Sequence, residues 1–342
     1  MVSLDKLTPA DPRVEHHTVT IRGNTYHYLL GNSSSPPAGT ILLVHGWPDL
    51  SFGWRYQVPL LLSLNLRVVV PDMLGYGRTD APEAAAEYSL KNMSDDLAAL
   101  AAHVAGPGEQ IILGGHDWGG AVVWRFALWH PQLVRAVFSV CTPYAPPRPA
   151  YIAPPDLIKI LPNFRYQLQL AGPEVEAYVV GKERLRQFLN TLYGGRGPNR
   201  EAAFTTADGV IFENLDKVGP TPLMSVEEVD FYVNEYERHG MHGPLNWYRT
   251  AKFNFDEELP LAEAGDAKTR VKAPSLIITA SRDSALPPSM SANMDKSFDD
   301  LEKREVNASH WALWEAPADV NSHIAEFLTK VLNSDQPLQA SI

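Results

Sequence analysis

The run Gly114-Gly115-His116-Asp117-Trp118-Gly119-Gly120 sets an acid between glycines two residues to either side, directly after the apolar run Ile111-Ile112-Leu113. A buried strand that turns straight into a helix through such a pattern is an elbow that lifts a nucleophile to the crest of a sheet. The glycines are needed because the turn is tight and neighbouring backbone leaves no room for a Cβ. A phosphate-cradling loop is the competing reading, and it fails because no Lys-Ser/Thr pair follows. Aspartate in the position usually held by serine changes the chemistry. A carboxylate is already ionised at neutral pH and attacks without a base. Attack on an sp³ carbon then leaves an ester that activated water can cleave, whereas serine would leave an ether. Epoxides and alkyl halides suit such a group, and esters and peptides suit it poorly.

Water needs a base, and in an elbow fold the chain order is nucleophile, acid, histidine. Ala308-Ser309-His310-Trp311 follows the candidate strand 303–306 and precedes the last helix, so His310 falls at a strand's carboxyl end. The preceding strand, Leu276-Ile277-Ile278, runs into Ser281-Arg282-Asp283, which supplies Asp283 to orient it. Ligand chemistry in such sheets gathers at the carboxyl edge. Val44-His45-Gly46-Trp47-Pro48 stands where a second oxyanion amide belongs, so the backbone N–H groups of Trp47 and Trp118 are the expected donors to a tetrahedral oxyanion. His45 and His116 read as hydrogen-bonded scaffold beside the site. His239 and His242 make a poor metal pair without a third ligand or a His-Glu-x-x-His motif, and no metal or organic cofactor is expected.

The elements that must position these groups alternate. A hairpin (17–22 and 25–30) with a Gly23-Asn24 turn comes first. Continuous apolar runs at 41–44, 68–70, 111–113, 136–140 and 276–278 then read as parallel strands buried on both faces. A helix is marked by Leu97, Leu100, Ala101 and Val104 behind a Ser94-Asp95-Asp96 start and a Gly106-Pro107 stop. Another covers 121–129, and Val320, Ile324, Phe327, Leu328 and Val331 form a last apolar stripe. The expected class is α/β with a mainly parallel sheet. The alternation fails at 144–251, where a proline-rich entry leads to helix-like segments (175–193, 226–238) and no good buried strand. That stretch is read as a helical cap inserted between two core parts, 1–143 and 252–342.

Composition narrows the class further. The 342 residues carry 29 Lys plus Arg against 40 Asp plus Glu, a net charge of −11 without a basic block, which argues against a nucleic-acid partner. The single cysteine, Cys141, excludes an internal disulfide and reads as a buried small hydrophobe in a reducing compartment. No apolar run reaches membrane-span length. Neither the N-terminus, Met1-Val2-Ser3-Leu4-Asp5-Lys6, nor the tail, Gln339-Ala340-Ser341-Ile342, carries a targeting signal, so a cytoplasmic location is expected. Three Asn-x-Ser sequons, at Asn32, Asn92 and Asn307, are attributed to chance in that setting.

His45-Gly46-Trp47-Pro48, Asp72-Met73-Leu74-Gly75-Tyr76-Gly77, Gly115-His116-Asp117-Trp118-Gly119-Gly120 and Ser309-His310-Trp311 together resemble the soluble-type epoxide hydrolases of the α/β-hydrolase fold, over residues 15–332. The segments Asn163-Phe164-Arg165-Tyr166-Gln167-Leu168-Gln169-Leu170 and Leu245-Asn246-Trp247-Tyr248-Arg249 are similar to those carrying the family's two cap tyrosines. The resemblance implies that Tyr166 and Tyr248 hold the epoxide oxygen and donate a proton as the ring opens. Chemistry asks for such donors, because an alkoxide leaves badly unless a phenol protonates it. Trp47, Trp118 and Phe164, with other aromatics not placed, read as cavity walls and suggest a small hydrophobic epoxide, with water as the second reactant. The additional phosphatase domain of vertebrate members is not expected, since no Asp-x-Asp-x-Thr motif occurs. A haloalkane-type dehalogenase shares the Asp elbow, but the Asn or Arg common beside it in dehalogenases is replaced here by Trp47 and Trp118. A non-catalytic ligand-binding member of the fold is the other alternative, and the intact Asp117, Asp283 and His310 set argues against it.

Overall fold

The computed structural model describes residues 4–32 and 36–334. The first three residues, the serines of the Asn32 sequon and the Gln339-Ala340-Ser341-Ile342 tail lie outside the described residues. The strands are β1 (Glu15–Ile21), β2 (Asn24–Gly31), β3 (Gly39–Val44), β4 (Leu66–Pro71), β5 (Ile111–His116), β6 (Val134–Val140), β7 (Phe204–Thr205), β8 (Gly209–Val210), β9 (Ser275–Ala280) and β10 (Leu301–Val306). Eight of them form one sheet in the order β1-β2-β4-β3-β5-β6-β9-β10. From β4 to β10 every neighbour is parallel, and β2 runs antiparallel to both β1 and β4.

Burial follows position in the sheet. Every residue of β5 and β9 is buried, as their unbroken apolar runs require between two helical layers. At the two edges, β1 alternates and β10 stays half exposed through Glu302, Lys303, Arg304 and Glu305. Charged side chains on an edge discourage pairing with another chain. Because the inner strands are parallel, the residues after β3, β5, β9 and β10 emerge at one edge of the sheet. Those residues include Trp47, Asp117, Asp283 and His310.

Several local boundaries differ from the expectations. The hairpin turns at Arg22-Gly23, one residue earlier than read, because Ile21 pairs with Asn24. Both turn residues have positive φ (47° and 101°), the requirement of a tight two-residue hairpin. The helix expected to begin after Ser94 spans Leu90–Ala105, and its cap is Ser89, whose side chain accepts the Asn92 N–H at 3.2 Å. The segment at 175–193 is two helices, Glu174–Tyr178 and Gly181–Leu192. They break at Val179-Val180, a β-branched pair followed by Gly181 at φ 78°. The stretch between β6 and β9 also contains a two-stranded antiparallel pair, β7 and β8, where no good strand was expected.

That stretch packs over the carboxyl edge of the sheet through specific bonds. Tyr193 donates its hydroxyl to Pro48 O at 2.6 Å, and Tyr232 donates to Asp49 Oδ1 at 2.6 Å. The Trp247 indole donates to Leu74 O at 3.1 Å, and the Trp311 indole to Leu192 O at 2.7 Å. Each satisfies a buried polar group, so separating the layers would expose or orphan it. No helix among the described residues is long and apolar enough to cross a membrane.

Candidate active site

Asp117 follows β5 directly and stands at the N-cap of the helix Trp118–Trp129 with φ 52° and ψ −125°, a conformation that costs a non-glycine residue about 1–3 kcal/mol. The surrounding backbone enforces it. A Cβ on Gly119 would lie 2.0 Å from Val44 O, and one on Gly115 would lie 2.4 Å from Gly119 O. The elbow is therefore closed to any residue but glycine at both flanks. Asp117 itself is 8% exposed and lines a cavity of about 580 Å³ between the sheet edge and the covering helices.

One Asp117 oxygen, Oδ1, accepts the Trp47 N–H at 2.7 Å. The other, Oδ2, stands 3.4 Å from His310 Nε2. On its far side His310 Nδ1 meets Asp283 Oδ2 at 2.8 Å. Asp283 is held in turn by the Ala285 and Leu286 N–H groups, at 2.8 and 2.9 Å on Oδ1. The three residues thus form one line of contacts from elbow to orienting acid. Burial works against a charged His310, but the Asp283 charge, the hydrogen bond to Asp283 and the nearby Asp117 carboxylate outweigh it and raise its pKa well above 6.5. Burial likewise opposes ionised Asp283, yet His310 and the two amides bring its carboxyl down to about 2.

Across the cavity lie Tyr166 and Tyr248, each 8% exposed, with ring centroids 6.2 Å apart. Tyr248 stands edge-on to Trp47 at 5.1 Å and to Trp118 at 5.5 Å. Burial, reinforced by the Asp117 charge, raises both phenol pKa values, so both hydroxyls keep their protons at neutral pH. A carboxylate, an imidazole beside it and two protonated phenols lining the same cavity can attack an electrophilic carbon, protonate a departing oxygen and activate water.

An α/β-hydrolase-fold family model matches residues 39–317. The chain is 47% identical over 97% of its length to epoxide hydrolase srdG of Neurospora crassa, all of which it covers. It is 31% identical over 95% of its length to bifunctional epoxide hydrolase 2 of Rattus norvegicus, and spans 58% of that protein. Epoxide hydrolase A from Mycobacterium thermoresistibile superposes with a TM-score of 0.78 at 26% identity, over 92% of this chain and 98% of that one. This chain belongs to the α/β-hydrolase-fold epoxide hydrolases.

Within this epoxide-hydrolase scaffold, the scaffold histidines are where they were expected. His45 takes the Met73 N–H on Nε2 at 2.9 Å and contacts Gly46 O through Nδ1 at 2.9 Å. Burial lowers its pKa, and that of His116, to about 4, so both are neutral. His242 contacts Glu176 at 2.8 Å through Nδ1. Among the described residues, the grouping closest to a metal-ligand set is His116, Cys141 and His310, with ligand atoms within 4.8 Å of one another. His116 Nε2 and Cys141 Sγ both converge on the His310 carbonyl, at 2.9 and 3.4 Å, and so hold the loop that carries the imidazole.

The cavity aromatics need correction. Trp47 lines the cavity, but Trp118 and Phe164 do not, and Tyr193, Phe204 and Trp311 take part in their stead. The Trp118 ring turns away against Trp247 and the edge of Tyr248. Arg249 closes the Tyr248 segment but was assigned no role from the sequence. Its guanidinium donates to Ala171 O and Gly172 O at 3.1 Å each and to Glu176 at 2.7 Å, tying the Tyr248 turn to the helix Tyr166–Ala171. An arginine beside a recognised tyrosine was the available signal, but these three partners lie more than 70 residues away.

Proposed function

We propose that the chain hydrolyses an apolar epoxide to a vicinal diol through an ester on Asp117. The observation that carries this reading is the pairing of a buried carboxylate, Asp117, with two buried phenols, Tyr166 and Tyr248, across one cavity. In this reading Tyr166 and Tyr248 hold the ring oxygen while an Asp117 oxygen attacks a ring carbon. The carbon–oxygen bond of the ring breaks, and its electrons take a proton from a phenol. Next, His310, oriented by Asp283, removes a proton from water, which adds to the ester carbonyl. The Trp47 and Trp118 amides receive the oxyanion, the ester's carbonyl carbon–oxygen bond cleaves, and the diol departs. The proton left on the regenerated acid passes to the departing alkoxide, and the water-derived proton on His310 restores its resting charge, so one epoxide and one water give one diol with no other reactant.

The charge on His310 fits this sequence. Two carboxylates favour its protonated form in the resting state. Esterification removes one of those charges and lowers the imidazole pKa, so the resting imidazolium returns to the phenolate the proton that it gave up and is left neutral, a base for the water step. The same reading treats residues 144–251 as a cap inserted between core segments 1–143 and 252–342, in a cytoplasmic protein.

A dehalogenase reading is weaker, because protonated phenols lining the same cavity as the nucleophile serve a departing oxygen better than a departing halide. Single turnover in heavy-oxygen water, followed by mass analysis of the diol, decides the route. Unlabelled diol from the first turnover and labelled Asp117 are expected. Solvent oxygen appearing directly in the first diol would overturn the ester, and halide release without diol formation from epoxides would favour the dehalogenase.

A further inference from the structure

The loop that leaves β6 reaches the backbone of both the nucleophile and the base. Cys141 Sγ meets the His310 carbonyl at 3.4 Å, and the next residue, Thr142, donates its hydroxyl to the Asp117 carbonyl at 2.6 Å. That carbonyl already accepts the Gly120 N–H at 2.9 Å and the Ala121 N–H at 3.3 Å from the first turn of the helix Trp118–Trp129. Thr142 is buried and is not among the residues that line the cavity, so its hydroxyl acts on backbone and not on substrate.

A buried threonine hydroxyl commonly just bonds the nearest carbonyl. Three features separate Thr142 from that case. The peptide it holds is the strained one, because the ψ of −125° at Asp117 sets the plane of the Asp117–Trp118 peptide. A trans peptide is flat and its N–H points opposite to its C=O, so fixing the oxygen fixes the direction of the Trp118 N–H. Trp118 opens its helix, so no carbonyl behind it in that helix takes this N–H. The sequence also leaves room for the contact. A Cβ on Gly120 would lie 2.3 Å from Ser139 Oγ and 2.6 Å from Thr142 Cβ. And Thr142 is itself anchored, since its carbonyl accepts the Ser139 hydroxyl at 2.8 Å and the Trp124 indole N–H at 2.9 Å.

We infer that Thr142 is a positioning residue for the oxyanion hole, its hydroxyl locking the Asp117–Trp118 peptide so that the Trp118 N–H faces the ester carbonyl on Asp117. This deepens the reading given above and rests on it for the ester, though not for the set of the peptide. Donation into the carbonyl also polarises the amide and strengthens its N–H as a donor. An oxyanion arises only when water adds to the ester, so the hydroxyl bears on hydrolysis far more than on alkylation.

The test follows both half-reactions with styrene oxide. Thr142→Val keeps the shape and loses the hydroxyl, Thr142→Ser keeps the hydroxyl, and Thr142→Ala stands in if the valine variant does not fold. Ester hydrolysis is expected to slow about ten- to a hundredfold in Thr142→Val, while alkylation stays within about threefold of wild type. The ester then accumulates, read by intact-protein mass, and kcat and KM fall together. Thr142→Ser is expected to recover hydrolysis to within about threefold. Tryptophan labelled with heavy nitrogen gives a readout apart from turnover. The Trp118 amide resonance, assigned by its loss in Trp118→Phe, is expected to move in Thr142→Val and return in Thr142→Ser. Where the ester forms, equal slowing of both halves, slowing of neither, or no recovery with serine would overturn the positioning. Diol formation without an ester in any of these proteins would overturn the covalent route instead. The Trp118 amide then decides the set of the peptide: moved by Thr142→Val it upholds the positioning, and unmoved it overturns it.

Discussion

Nε2 of His310 stands 3.4 Å from Oδ2 of Asp117. That separation allows charge attraction but exceeds the usual length of a hydrogen bond between nitrogen and oxygen. The carboxylate oxygen is therefore near the imidazole without being consumed by it, and the adjoining cavity gives a substrate carbon access.

Replacing His310 with Gln keeps a polar side chain there but removes the base. One equivalent of epoxide is expected to alkylate Asp117 at near wild-type extent, while steady-state turnover falls by about 10²–10⁴-fold. Intact-protein mass, raised by the mass of the epoxide, reads the trapped ester. Sustained fast turnover by this variant would remove His310 from the hydrolytic step.

The phenols make a separable prediction. Tyr166→Phe and Tyr248→Phe each retain the ring packing, including the Tyr166 edge contact with Phe204 at 5.5 Å, and lose only the hydroxyl. Single-turnover alkylation is expected to slow by roughly ten- to a hundredfold in each, and the double variant by about 10²–10⁴-fold. Hydrolysis of a preformed ester is expected to change far less. A variant slowed only in ester hydrolysis would place the phenols in the wrong half of the reaction.

How much of this was legible in the sequence depended on the range over which each feature is encoded. Asp117 was readable because the elbow packs strand, glycines and helix into a dozen consecutive residues. His310 and Asp283 were readable because parallel strands put successive strand ends on one edge, so chain order becomes spatial order. Tyr166 and Tyr248 needed the family resemblance, since a tyrosine in a helical layer has no local mark of its direction. The convergence of His116 and Cys141 on the His310 carbonyl is different in kind. It joins β5, the end of β6 and the loop after β10, and nothing in any one segment announces the other two. The displaced hairpin turn and the early helix start share a cause, which is that pairing register and capping are settled one or two residues at a time.

The ion pair between His310 and Asp283 carries a pH signature. Asp283 is pulled down to about 2 and His310 is raised, so the signs are opposite. The Asp283 contribution to stability is present above about pH 4 and fades as pH falls towards 2. The His310 contribution is fully present below about 6.5 and is lost as pH rises through its raised value. Asp283→Asn is therefore expected to lower Tm most between about pH 4 and 6.5, by an amount equivalent to roughly 1–3 kcal/mol, with the loss narrowing at alkaline pH. The imidazole titration of His310, followed by NMR, is expected to move down in the same variant. An unchanged titration would mean that Asp283 does not govern the charge on His310.

Asp49 gives the opposite pH dependence from a neighbouring position. It is fully buried, and Oδ1 accepts the Leu50 N–H at 2.8 Å and the Tyr232 hydroxyl at 2.6 Å, while Oδ2 has no hydrogen-bond partner. Burial pushes its carboxyl up to about 7, against the weaker pull of the Tyr232 and Leu50 bonds and the Arg55 charge. An acid with a raised folded-state pKa stabilises the fold below its ordinary value near 4 and loses that contribution as pH rises through 7. At pH 8 the wild type must therefore hold a buried charge that an amide would not have. Asp49→Asn keeps an acceptor for Leu50 and Tyr232 and is expected to gain stability over wild type between pH 5 and pH 8, by about 1–4 kcal/mol. Thermal melts of both proteins at those two values measure it. Because Tyr232 belongs to the helix Val226–Tyr236 over the sheet edge, ionisation of Asp49 also bears on how firmly that helix is seated. A stability difference that stays flat with pH would show that Asp49 is ionised throughout and balanced by Arg55.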